Sequence, residues 1–164
     1  MTPRTTYCII LAGAFLWAGL IVLAPYLAAS SSPFAAFVYQ AFGSICHQLP
    51  ERSFHLFGAK LAVCSRCTAI YFAFVVGVIA YPFFIPSLQH SATPSRGVLL
   101  AALLAMVAEV ALEFFGFHES TFLTRAITGV IFGGVVPFFV LPAAIEAVQQ
   151  LSASQRRVTI NEPT

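Results

Sequence analysis

Residues 97–116 read GVLLAALLAMVAEVALEFFG. At 1.5 Å per residue such a run makes a helix of about 30 Å, the thickness of a bilayer's hydrocarbon core. It is apolar except for Glu109 and Glu113, which stand four apart and therefore share a face in its last two turns. A charged side chain at bilayer depth costs about 2.5–3.5 kcal/mol on insertion scales, so two carboxylates there call for cationic partners and mark a site.

Three further runs have the same character, at 7–23, 68–85 and 122–145. The chain of 164 residues is 59% hydrophobic and only 9% charged, where soluble domains carry about 25% charged residues. The first run exceeds the roughly 7–15 apolar residues of a signal-peptide core and is read as a retained helix. The sequence thus predicts an all-α integral membrane bundle of four transmembrane helices, forming one domain over 1–147, with a polar, disordered tail over 148–164. The net charge of +2 and the lack of a basic stripe argue against nucleic acid as a partner. The lipid bilayer is the partner expected.

The connection over 24–67 has its own order. Ser32-Pro33 reads as an N-cap followed by proline at the first helical position. Phe34, Phe37, Val38, Phe42 and Ile45 then recur at helical spacing, giving a short interfacial helix before a Cys/His motif. Pro50 is expected to open another short helix through about Phe57, ended by Gly58.

Four spans put both termini and the loop 86–96 on one side, and the long connection and the loop 117–121 on the other. With charges inside the site discounted, Arg4, Arg96, Arg156 and Arg157 make the terminal side cytoplasmic. The expected location is the cell (inner) membrane, with the Cys/His motif on the outer face. Parity also brings Glu109 and Glu113 into the leaflet that holds Arg125, in the first turn of the fourth span, and Cys64, Arg66 and Cys67, at the mouth of the second. Arg125 should pair with Glu109 or Glu113. These three are the candidate catalytic residues, and a plain salt bridge pinning two helices is an equal reading of them.

Cys46, His47, Cys64 and Cys67 follow the spacing C-H-x16-C-x2-C. A CxxC at a turn into a helix presents two sulfurs to one tetrahedral ion, and a distant Cys/His pair completes the set. Zinc suits these ligands, as does copper(I), and His55 is an alternative to His47. Gln48, Arg52, Ser53, Arg66 and Tyr71 are the residues expected around the centre, Tyr71 as a hydrogen-bond donor into it.

The same thiols allow disulfide exchange. Arg66 between the two cysteines and the following helix N-terminus both lower a thiol pKa. That reading brings in a quinone and overlaps in outline with bacterial disulfide-bond oxidoreductases and vitamin K epoxide reductases, although no second cysteine pair is found. A third reading makes the cysteines a structural tie in a non-catalytic membrane module. Cys8 is expected to be a buried small hydrophobe, and His90 a solvated loop residue. His118 lies on the site side. CSRCT lacks the histidine of a haem-attachment sequence. Gly129 and Gly133 form GxxxG, a face for packing within the bundle or for a homodimer.

CHQLPERSFHLFG followed by CSRCTAIY resembles the signature of a prokaryotic family of small predicted membrane proteins of unknown function, roughly Cys-His-Gln-x-Pro-x-Arg-Ser-Phe, a glycine, then Cys-x-Arg-Cys-x-Gly-x-Tyr. Ala69 stands in place of that pattern's second glycine. Glu109 and the run Arg125, Thr128, Gly129 resemble the family's acidic residue and its Arg-x-x-Thr-Gly, with aspartate the commoner acid there. The resemblance covers about 40–135 and implies a multi-pass membrane protein with no assigned activity or substrate.

Overall fold

Thr2 opens the first helix. Its hydroxyl accepts the Thr5 N–H at 3.2 Å and Pro3, whose missing N–H would have no helical partner, takes the first position. Helix α1 then runs Pro3–Ala29. It stops where Ser31 turns left-handed (φ 55°), with the Ser32 N–H reaching back to the Leu27 carbonyl at 2.9 Å. Beyond it come α2 (Phe34–Gly43), a 3-10 turn (Pro50–Arg52), strands β1 (His55–Leu56) and β2 (Ala59–Lys60), α3 (Ser65–Phe84), α4 (Arg96–Phe114), α5 (Phe122–Val135) and α6 (Pro137–Ile160). This computed structural model describes residues 2–85, 93–117 and 119–160, with 154–160 described by backbone alone. His90 and His118 lie outside the described residues.

Three of the helices, α1, α3 and α4, and the α5–α6 rod over Phe122–Ala153 are each long and apolar enough to cross a membrane. The molecule is an all-α bundle carrying one small hairpin. Their outward faces are apolar: Leu16, Phe83, Leu104 and Leu123 are largely exposed, as lipid-facing side chains should be. Cys8 joins them on the surface of α1 instead of being buried. A thiol is apolar enough for lipid, so nothing drives it inward.

Helix directions follow from the contacts. Tyr7 Oη donates to the Val78 carbonyl at 3.1 Å while Trp17 meets Tyr71, so α1 and α3 are antiparallel. Gly129 lies against Arg66 and Ala69, and Pro137 against Gly77, so α3 and α5 run parallel. The C-terminal end of α4 meets the start of both. This is the four-span alternation.

The GxxxG face is used inside the chain. A Cβ on Gly129 would come within 2.9 Å of Ala69 Cβ, and one on Gly133 within 2.7 Å of Ile70 Cα. Close approach of α5 to α3 requires both glycines, so of the two uses expected of this face, packing within the bundle is the one seen.

Two elements differ from expectation. Past Arg52 the chain turns into a hairpin rather than continuing helically to Phe57. Phe57 (φ 54°) and Gly58 (φ 78°) both have positive φ, the type I′ geometry that joins two strands with a two-residue loop. And the helix breaks at Val136, where Pro137 begins α6 without an N–H to donate, then continues to Ile160 through most of the stretch expected to be a disordered tail.

Candidate metal centre

Two segments far apart in sequence build the site. The first follows α2. The Cys46 N–H returns to the Phe42 carbonyl at 3.0 Å, and the chain leaves α2 through Gln48 at φ 51°. Several hydrogen bonds fix this loop. Gln48 Nε2 donates to the Tyr39 carbonyl at 2.6 Å, Lys60 Nζ to the Gln48 carbonyl at 2.5 Å, and Tyr39 Oη to the Lys60 carbonyl. Buried Ser53 closes the 3-10 turn, its hydroxyl donating to the Leu49 carbonyl at 2.8 Å. The second segment is Leu61–Ala62–Val63, buried against Ile21 and Ala24 of α1, which delivers Cys64 as the N-cap of α3 and Cys67 in its first turn.

Cys46 is buried and Cys64 and Cys67 are half-buried, all three as free thiols. Their sulfurs all lie within 4.8 Å of one another. The Cys64 and Cys67 sulfurs are 3.6 Å apart, and the Cys64 backbone N–H donates to Cys46 Sγ at 3.2 Å. Ligand sulfurs about 2.3 Å from one tetrahedral ion would be about 3.8 Å apart, so the cluster can hold a metal ion with small side-chain adjustments. The hydrogen bond shared with the Cys67 side chain leads the effects that bring Cys64 down to about 5, against the opposing effect of burial; Cys46 and the charge of Arg66 act in the same direction.

His47 is exposed and is not part of the sulfur cluster, though it lines the adjoining cavity. His55 is exposed on the hairpin, outside that lining. Tyr71, expected as a donor to the centre, sits edge-on to the Trp17 ring at 5.8 Å.

Beside the sulfurs lies a cavity of about 340 Å³ with Arg52, Arg66 and Arg125 on its wall. Glu109 and Glu113 hold these arginines from α4. Arg66 is bonded to Glu109 and stands 3.8 Å from Glu113. Arg125 pairs with Glu113 at 2.8 Å and Arg52 with the same carboxylate at 3.1 Å. The expected pairing of Arg125 is therefore with Glu113, while Glu109 goes to Arg66. Helix ends place these groups: α4 stops through Gly116 (φ 73°), and a capping box between Thr121 and Thr124 starts α5 one turn before Arg125.

Ser120 joins the network unforeseen. Its hydroxyl donates to Glu109 and accepts from Arg125 Nε at 3.1 Å. Its position just before the fourth span, on the side of the buried acids, was the available signal. Tyr39 and Lys60, which clamp the loop, gave none.

A family profile described as "Predicted membrane protein (DUF2085)" matches residues 46–139. The chain belongs to that family. Among its relatives, an uncharacterised protein of Methanocaldococcus jannaschii is 39% identical over 148 residues, covering 87% of this chain and 94% of its own length. An uncharacterised protein of Methanothermobacter thermautotrophicus is 38% identical over 94 residues, 56% of this chain and 80% of its own. No solved structure matches. The matched span of the DUF2085 family begins at Cys46 and takes in the whole cysteine and ion-pair network.

Proposed function

We propose that this membrane protein holds a metal ion, zinc first among the choices, at Cys46, Cys64 and Cys67, with the fourth position taken by His47 or by solvent from the cavity. The observation that carries the reading is the convergence of three free sulfurs within 4.8 Å from two sequence-distant segments. Charge supports it. A divalent ion with three thiolates is a monoanion, and three guanidiniums facing two carboxylates beside it supply one positive charge. Gln48, Ser53 and Arg66 position the ligands, and Glu109, Glu113, Arg52 and Arg125 hold the end of α4 against them. The termini lie in the cytoplasm and the centre at the outer face of the cell membrane.

A second reading, thiol–disulfide exchange with a quinone as electron acceptor, is favoured by the 3.6 Å between Cys64 and Cys67 and by the lowered Cys64. Elemental analysis of detergent-purified protein and its Cys64→Ser variant, with thiol titration before and after reduction, separates the two. Stoichiometric metal that is lost in the variant, with no reducible disulfide, is the expected result. A reducible Cys64–Cys67 bond without metal would replace the metal reading with the redox one. Metal whose loss lowers only the melting temperature would make the centre a structural tie.

A further inference from the structure

The wall of the 340 Å³ cavity carries three guanidiniums and, among the described residues, no carboxylate. The glutamates hold the arginines without saturating them. A guanidinium has five N–H donors. Arg52 and Arg66 are engaged through Nη2, and Arg125 through Nε and Nη2. Arg66 Nε is buried with no hydrogen-bond partner among the described residues. The first turns of α3 and α5 both reach this wall, through Arg66, Cys67 and Arg125, and helix N-termini add further positive potential.

We propose that this cavity binds the phosphate group of a phosphate ester, either a soluble molecule or a lipid headgroup. Three converging forks exceed what the two oxygens of one carboxylate can engage and suit the several oxygens of a phosphate. The volume falls at the lower end of the roughly 300–1,000 Å³ of organic-ligand pockets, leaving room for more than the anion. Ile45 and Leu49 give the remainder an apolar wall. The site stands on the arginines and does not require the metal.

The test uses the full chain, delipidated in neutral detergent, with radiolabelled inorganic phosphate in equilibrium dialysis. Saturable binding is expected, weakened roughly tenfold or more in Arg52→Gln. It should be unchanged in Arg96→Gln, at the far end of α4, and retained after any bound metal is stripped with a chelator. Displacement by short-chain phosphatidylglycerol but not phosphatidylcholine assigns the headgroup; failure of both to displace assigns a soluble ester. Protection needs no variant: phosphate should slow phenylglyoxal modification of Arg52 in the unaltered protein, read by peptide mass spectrometry. Absence of saturable binding at millimolar phosphate, equal losses in the two arginine variants, or loss of binding on stripping metal with a chelator would each overturn the proposal.

Discussion

Glu109 is buried under Arg66 and Ser120, and its removal leaves the largely buried Arg66 guanidinium only the longer contact to Glu113. Losing one partner of a buried pair costs about 3–5 kcal/mol, so Glu109→Ala should lower the melting temperature in detergent far more than Glu119→Ala, at an exposed position. Cys64 gives a pH signature. With its folded pKa depressed to about 5, the metal-free protein keeps a thiolate there through neutrality. Alkylation of Cys64 by iodoacetamide should hold steady from about pH 8 to 6 and fall by half near 5, where an ordinary thiol of pKa about 8.5 would already be slow at 7. The sign for stability is the same: the contribution is present above the unfolded thiol pKa and lost as pH falls through 5. The cysteines, glutamates and arginines of the site were legible because charge is scarce in this chain and helix parity alone sorts it to one leaflet. Ser120 offered only its position beside the acids and Tyr39 offered nothing, because a hydroxyl acquires its role from the three-dimensional neighbours it finds. The division of labour between Glu109 and Glu113 depends on side-chain reach, which spacing does not encode.

Among the elements, α5 against α3 is the tightest joint. A side chain at Gly133 meets the Ile70 backbone, which has nowhere to move, so Gly133→Val should cost about 1–3 kcal/mol or more. Gly19 has open space, and Gly19→Ala should be neutral or gain up to about 1 kcal/mol from helix propensity. Thermal unfolding of the two variants side by side checks the contrast, and comparable effects would remove the packing argument. The spans themselves were readable, since a run of apolar residues of bilayer length has few other fates. The hairpin was not: Pro50 and Gly58 punctuate a short helix as well as they punctuate a turn and a type I′ loop. Positive φ at Phe57, a bulky residue, decided it, and nothing in the residue type announces that. The break before α6 hides in the same way, inside a hydrophobic run that reads as continuous.

For the whole molecule, the alternation of α1, α3, α4 and the α5–α6 rod puts sulfur, guanidinium and carboxylate together at one end of the bundle. The proposed orientation is open to labelling: a membrane-impermeant maleimide should reach Ser44→Cys in intact cells and Thr5→Cys only after lysis. The uncharacterised relatives bring membership without chemistry, so the centre has to be argued from its own groups. X-ray absorption at the zinc edge, on the full-length protein purified from zinc-supplemented cells, reads the sulfur cluster most directly. Our account predicts a shell of three sulfurs at about 2.3 Å with one lighter nitrogen or oxygen neighbour. A spectrum of only oxygen and nitrogen neighbours, or purified protein without metal and with Cys64 bonded to Cys67, would contradict it.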